Sequence, residues 1–119
     1  LLEPHHSHFI FCPGSKWGDE SEWIAAAASA LSNTQPTAAI LINGGQITWE
    51  DARNNIQYGR PVIVAEGSGR TADVIADTST GIVFEAKALA LIRTGKIHVA
   101  NFFNQPERFM EKLKDLMRP

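Results

Sequence analysis

Short apolar runs alternate with longer amphipathic segments along the 119 residues of the chain. The apolar runs are rich in β-branched residues and predict four strands, at residues 9–12, 38–42, 61–65 and 97–100. The amphipathic segments predict four helices, at residues 20–31, 48–58, 71–77 and 85–94. The run at 38–42 contains no polar residue, which predicts a strand covered on both faces. The short apolar run at 82–84 fits neither class.

A last helix is predicted to begin near Pro106, because proline is compatible with the first helical turn. Phe109, Leu113 and Leu116 form one apolar stripe along it. Strands that alternate with helices pair in parallel through right-handed crossovers. We therefore expect the α/β class, as a Rossmann-like three-layer sandwich with a mainly parallel sheet, in a single domain over residues 1–119.

The composition limits the partners of such a domain. Lys and Arg number 11 and Asp and Glu number 13, for a formal net charge of -2, so no basic excess points to nucleic acid. No run approaches the roughly 20 apolar residues that span a bilayer, so no membrane partner is expected. The single cysteine, Cys12, excludes an internal disulfide and fits a reducing compartment. We expect a cytoplasmic protein.

Glycine-rich segments follow three of the predicted strands, at residues 13–18, 43–46 and 66–70. In an open parallel sheet, ligands bind beyond the carboxyl ends of the strands. Glycine lets the backbone approach a ligand closely and adopt a positive φ. Three such segments on one edge of the sheet therefore predict a ligand site at that edge.

The third segment, Glu66-Gly67-Ser68-Gly69-Arg70, joins a strand directly to a helix. Its free N–H groups and the helix dipole predict an anion site. Ser68 is expected to donate a hydroxyl hydrogen bond there, and Arg70 to present a planar fork to a phosphate. In the alternative interpretation, the same residues form a tight turn that binds no ligand and leaves Arg70 in solvent. The spacing differs from the three-glycine dinucleotide fingerprint.

The second segment brings another backbone turn toward the same ligand through Gly44 and Gly45. Gln46 and Thr48 can hydrogen-bond its sugar or phosphate. Thr48 can also cap the helix that follows, and the two roles are compatible because capping uses one oxygen lone pair.

The first segment permits two interpretations. Trp17 can stack on a base while Glu20 accepts a hydrogen bond from a ribose hydroxyl. Alternatively, Asp19 and Glu20 favour the start of a helix and Trp17 covers the edge of the core. We prefer the second interpretation for Trp17.

Histidines near the amino terminus, at positions 5, 6 and 8, suggest a metal site. No cluster of Cys, Asp or Glu completes a tetrahedral ligand set, so no metal is predicted, and the sequence identifies no cofactor. His98 lies in a predicted strand and is expected to be packed or hydrogen-bonded. Ser68 lacks the glycine spacing of a nucleophile elbow.

Several segments resemble one family when they are taken in order. They are His6-Ser7-His8-Phe9, Trp17-Gly18-Asp19-Glu20, Leu41-Ile42-Asn43-Gly44-Gly45 and residues 61–76. The stretch from Glu66 to Asp73 is the most specific of them. Residues 6–117 thus resemble the SLOG superfamily, in the branch shared by melastatin-type TRP channels and soluble prokaryotic proteins.

The resemblance implies a Rossmann-like domain that binds nucleotides or nucleotide-derived small molecules, with ADP-ribose and its relatives as favoured ligands. The positions that match the phosphate-lining residues of the family are Gly44, Gly45, Gly67, Ser68, Gly69 and Arg70. Glu66 and Asp73 also match the motif, and Asp73 is expected either to accept loop N–H groups or to pair with Arg70. The family pattern further leads us to expect a βα portion with another glycine-rich loop upstream.

One branch of the superfamily, the phosphoribohydrolases, cleaves an N-glycosidic bond and carries a Pro-Gly-Gly-x-Gly-Thr-x-x-Glu pattern. Here Asn43 and Ile47 replace the proline and the third glycine, and Asp51 replaces the final acid. Asp51 and the adjacent Glu50 are the candidate catalytic carboxylates. Because catalysis tolerates little displacement of a reacting group, we favour a sensor or binding module and keep hydrolysis as an alternative.

Protein assembly is a third interpretation. Trp23, Trp49 and Phe109 can form an aromatic surface for a homo-oligomer, although packing in the core explains the same residues.

Overall fold

The sheet contains three strands in sequence order: β1 (Ala39–Leu41), β2 (Val62–Glu66) and β3 (Ile97–Asn101). The computed structural model describes residues 1–119. Both strand pairs are parallel, and Ile63 of β2 lies in register between Ile40 and His98. The parallel α/β fold predicted from the sequence is confirmed.

Five helices accompany the strands: α1 (Ser21–Ser32), α2 (Gln46–Gln57), α3 (Arg70–Ser79), α4 (Ala86–Ile92) and α5 (Pro106–Leu116). All five predicted helices are present, with ends that differ by a few residues. Helix α2 connects β1 to β2, and α3 and α4 together connect β2 to β3. The ambiguous run at 82–84 is an exposed connection between α3 and α4. None of these helices has the length and apolar character needed to cross a bilayer.

The helices form a layer on each face of the sheet. Val62 and Val64 of β2 are buried on one face beneath α2, α3 and α4. Ile63 is buried on the other face, where it packs with Phe109 of α5. This burial on both sides explains why the third apolar run contains no polar residue. The arrangement is consistent with a Rossmann-like sandwich, with α1 packed against the outside of α2.

The α5 side of β1 is uncovered. Ile40 shares the face of its register partner Ile63, but the strand residues that pack with α5 belong to β2 and β3. The side chain of Ile40 is therefore 48% exposed, and that of Ile42, which follows the strand, is 63% exposed. The prediction that residues 38–42 are covered on both faces is wrong.

The segment before α1 contains neither a helix nor a strand, so the strand predicted at residues 9–12 is also wrong. Phe9, Ile10 and Phe11 are exposed. A short apolar run becomes a strand only beside a partner that takes its backbone hydrogen bonds, and none of the three strands lies next to this segment. The first glycine-rich segment therefore follows no strand.

Candidate functional site

The loop before α2 and the loop before α3 lie side by side at the carboxyl edge of the sheet. The Asn43 N–H donates to the Ser68 hydroxyl oxygen at 2.8 Å, and the Asn43 side-chain amide donates to the Ser68 carbonyl oxygen at 2.7 Å. The Ala72 N–H donates to the Asn43 carbonyl oxygen at 3.0 Å. Asn43 thus ties the second glycine-rich segment to the third, and the expected convergence of these two segments is confirmed.

The Ser68 hydroxyl is used within the protein. It donates to the Ala65 carbonyl oxygen at 2.6 Å while it accepts from the Asn43 N–H. The Ser68 N–H also donates to the Ala65 carbonyl oxygen, at 3.2 Å. The hydroxyl hydrogen that we expected to reach a phosphate is therefore already bonded, and the structure gives Ser68 the role of shaping the loop.

Asp73, in the first turn of α3, holds the beginning of the same loop. Its Oδ1 accepts from the Gly67 N–H at 2.7 Å. Arg70 forms no ion pair with it, since the ion pairs of the structure join only residues near the two termini. Of the two roles expected for Asp73, the structure shows the acceptance of a loop N–H.

Several backbone amides remain without a protein acceptor at this edge. They include those of Gln46 and Ile47 at the start of α2 and those of Gly69, Arg70 and Thr71 at the start of α3. The amino ends of two helices thus face the same region. Since each carries about half a positive elementary charge, the edge is suited to bind an oxyanion with two or more oxygen atoms.

Glycine is required at two positions where the loops touch. A Cβ on Gly69, which has φ +97°, would lie 2.9 Å from the side-chain nitrogen of Asn43. A Cβ on Gly44, with φ +107°, would lie 2.5 Å from the Thr48 hydroxyl oxygen. Asn43 and Arg70 also have positive φ, 56° and 50°. This left-handed backbone costs about 1 kcal/mol or more at a residue with a side chain, and such strain is concentrated at functional sites.

The Arg70 side chain reaches from α3 across to α2. It is exposed, and its Nη2 lies 3.0 Å from the position that a Cβ on Gly45 would occupy. Gly45 therefore leaves room for the guanidinium beside the two helix ends. A planar fork placed among free amides matches the geometry of a phosphate or carboxylate group.

The other predicted ligand residues lie around this cluster. Thr48 is the third residue of α2, and its hydroxyl accepts from the Gly45 N–H at 3.0 Å, so it caps the helix from within rather than from the preceding position. The Gln46 side chain is exposed and forms no hydrogen bond with the protein. Glu66 is the half-buried last residue of β2.

Comparison with known proteins identifies the family of the chain. The family model described as SLOG in TRPM, prokaryote, matches residues 1–111, which is most of the chain. The chain belongs to this family. The match includes both loops that form the cluster and thereby confirms the resemblance noted in the sequence.

Two curated relatives of this SLOG chain are channel subunits. Transient receptor potential cation channel subfamily M member 2 of Mus musculus is 27% identical over 135 residues, an alignment that covers 98% of the chain and 9% of the relative. The same protein of Rattus norvegicus is 25% identical with the same coverage. The SLOG chain thus spans about a tenth of the length of these relatives. No solved structure matches it.

The candidate catalytic carboxylates of the SLOG domain are not brought to the two loops. Asp51 is directed toward α1, where its Oδ1 accepts from the buried Ser21 hydroxyl at 2.6 Å. Asn54 donates to the same hydroxyl oxygen at 3.0 Å, which completes a polar link between α1 and α2. Glu50 is exposed and lies close to Gly18. Neither carboxylate forms a hydrogen bond with the second or third segment.

The first glycine-rich segment forms a separate turn. Asp19 accepts the N–H groups of Ser15 and Lys16 at 2.9 and 3.0 Å, and these hydrogen bonds lower the pKa of its carboxyl. Glu20 accepts from the Gly18 N–H and precedes α1, in agreement with the helix-start interpretation. Trp17 is 91% exposed, so the expectation that it covers the core edge is wrong.

The sequence interpretation missed Phe103, which lies beside the third segment. Its Cδ2 is 3.5 Å from the position of a Cβ on Gly67, and its side chain is 60% exposed. Phe102 packs edge-to-face against it, with ring centroids 5.6 Å apart, and makes a similar contact with the buried Phe109. The signal was available, because Phe103 follows β3 at the carboxyl edge, where ligands of parallel sheets bind.

The remaining candidates are dispersed. His5 and His6 contact Glu3, and no group of three His, Cys, Asp or Glu side chains in the structure is arranged to hold a metal ion. His98 is half-buried in β3, as expected for a packed residue. Of the aromatic residues considered for assembly, Trp23 is 48% exposed, whereas Phe109 is buried, so packing in the core is the interpretation that holds for Phe109.

Proposed function

We propose that this SLOG domain binds a nucleotide-derived ligand of the ADP-ribose type and acts as a ligand-sensing module. The observation that carries the proposal is the convergence of free amides from two helix ends with the Arg70 guanidinium. A diphosphate provides separate oxyanions for the two helix ends, and the planar fork of Arg70 matches either of them. The family resemblance favours ADP-ribose among diphosphates.

The ring of such a ligand fits beside Phe103. Gly67, beside which Phe103 lies, is two residues from the free amide of Gly69 and thus at most about 7 Å away. A sugar spans that distance between a phosphate and a base. Stacking of a base on an aromatic side chain contributes about 1–3 kcal/mol. In this proposal Phe103 contacts the base and Arg70 the diphosphate.

The proposed role is binding without hydrolysis. A phosphoribohydrolase needs a carboxylate near the sugar carbon, but the hydrogen bond from Ser21 holds Asp51 toward α1. Thr48 and Gln46 lie closer to the free amides and are suited to contact sugar hydroxyls or phosphate. The resemblance to the cytosolic region of melastatin-type channels is the support for a cytoplasmic location.

Replacement of Arg70 tests the proposal most simply. ADP-ribose is expected to raise the unfolding temperature of the wild-type chain, because a ligand that binds only the folded state stabilises it. Arg70→Ala removes a charge-assisted contact and is expected to raise the Kd by about tenfold or more. Calorimetric titration with ADP-ribose measures the change.

Two variants serve as controls. Arg93→Ala removes another exposed cation, at the end of α4, and should leave the Kd within about twofold of wild type. Arg70→Lys retains the charge without the fork and should give an intermediate Kd. Equal affinity of the Arg70→Ala and Arg93→Ala variants, or no binding of ADP-ribose by the wild-type chain, would refute the proposed site.

A further inference from the structure

A second cleft lies at the opposite edge of the sheet, where the strands begin. It has a volume of about 560 Å³, within the range of about 300–1,000 Å³ typical of small-molecule sites. The end of α1, the loop before β1 and the residues that precede β2 and β3 form its walls. None of the residues at the carboxyl edge described above contributes to it.

Arg60 is the buried cation of this cleft. The residue is only 5% exposed, and its guanidinium has no carboxylate partner. Its Nε donates to Thr37 Oγ1 at 2.9 Å, its Nη1 to Asn55 Oδ1 at 2.5 Å and its Nη2 to Ser29 Oγ at 2.9 Å. Buried charges in proteins are normally paired. Arg60 Nη2 also donates to the Ala25 carbonyl oxygen at 3.5 Å, and the carboxyl ends of α1 and α2 offset part of the charge through their dipoles.

The hydroxyl groups of Ser29 and Thr37 connect the Arg60 guanidinium to the cleft through hydrogen bonds. Each accepts from the guanidinium, and no protein acceptor takes the hydrogen of either hydroxyl. A hydroxyl that accepts from a cation is polarised and becomes a stronger donor. Both residues line the cleft, so they present two activated donors to whatever occupies it.

The remaining charged groups around the cleft are also basic. Lys96 and His98 line it, and no Asp or Glu is among its lining residues. Burial lowers the pKa of His98, and the positive charges of Lys112 and Lys96 lower it further. Two lysines thus lie close to the imidazole at this edge of β3, although the chain as a whole carries a formal net charge of -2.

We propose that this cleft binds the phosphate group of a small molecule, at a site separate from the nucleotide site of the carboxyl edge. Lys96 provides an exposed cation that contacts the phosphate. Ser29 and Thr37 donate hydrogen bonds from the wall, and Arg60 acts through them as a positioning residue. The two sites share no residue, so either can exist without the other.

Nuclear magnetic resonance with inorganic pyrophosphate as the probe tests the inference at constant pH. The His98 ring signals and the Lys96 amide signal are expected to shift and saturate together in the wild-type chain. If pyrophosphate shifts only the signals of the loops at the carboxyl edge and leaves those of His98 and Lys96 unchanged, the inference is overturned. The proposed nucleotide site would be unaffected by that result.

Two charge-matched variants sharpen the test, with His98 as the reporter in both. Lys96→Ala is expected to raise the pyrophosphate Kd at this cleft about threefold or more, and Lys87→Ala on α4, which removes an equally exposed cation elsewhere, is expected to leave it unchanged. Thr37→Val should also weaken binding. Because that variant takes an acceptor from Arg60, the decision rests on the lysine pair: equal Kd values in Lys96→Ala and Lys87→Ala contradict the site.

Discussion

At the scale of single residues, Asn43 connects the two loops of the proposed nucleotide site. Its backbone and side-chain amides both bond to Ser68, its side-chain oxygen accepts from the Gly44 N–H, and its carbonyl accepts from Ala72. It forms these bonds in a left-handed conformation, which asparagine tolerates better than most residues. The position of the free amides thus depends on this side chain.

Replacement of Asn43 by alanine is expected to lower the free energy of unfolding by about 1–3 kcal/mol, because it removes two side-chain hydrogen bonds at a half-buried position. Urea denaturation measures this change. Asn55→Ala also removes two side-chain hydrogen bonds, one to the Asp51 carbonyl and one from Arg60 Nη1, and gives a comparison away from the loops. If Asn43→Ala retains both wild-type stability and wild-type affinity for ADP-ribose, the bridging role is excluded.

At the scale of elements, the site depends on how closely α2 and α3 begin to each other. Thr71 donates to the carbonyl oxygens of Gly44 and Gly45 at 3.3 and 3.2 Å, which adds a link between the helix ends. Both helices begin directly after a glycine, so neither N-cap residue has a side chain that covers the free amides. The second and third segments act as one structural unit.

A methyl group added at Gly69 should disturb that unit. Gly69→Ala places a Cβ against the Asn43 side chain at a φ of +97°, and we expect a loss of about 2 kcal/mol or more in the free energy of unfolding. Gly59→Ala is the matched control, because Gly59 has φ +77° with open space around its Cβ position. The Gly59→Ala variant should lose only about 1 kcal/mol of unfolding free energy, from the strained backbone alone. Equal losses in the two variants would show that the Gly69–Asn43 contact has no energetic effect.

At the scale of the whole molecule, the sequence predicts the elements better than their contacts. Strand β2 was predictable because its residues are buried on both faces, which leaves a continuous apolar run. Residues 9–12 show a similar run and form no strand, because pairing depends on partners far away in the sequence. The glycine-rich loops were likewise predictable, whereas the use of the Ser68 hydroxyl by Asn43 arises only when the two loops meet.

The pH dependence of overall stability gives a further prediction. The pKa of His98 is lowered from its ordinary value of 6.5, so the unfolded chain takes up a proton more readily than the folded one. The stability contributed by neutral His98 is therefore present above about pH 6.5 and is lost as the pH falls through the lowered pKa. Between pH 7 and pH 5, wild type should lose more unfolding free energy than His98→Gln in urea titrations. An identical loss in both proteins would contradict this assignment.

The central claim is that amides at the amino ends of α2 and α3 bind the oxyanions of a nucleotide-derived ligand. Titration of the isotopically labelled chain with ADP-ribose, followed by amide nuclear magnetic resonance, tests it most directly. The signals of Gln46, Ile47, Gly69 and Arg70 are expected to shift with one common Kd. Saturable binding of ADP-ribose that leaves these four amides unmoved, or no binding at all, would contradict the claim.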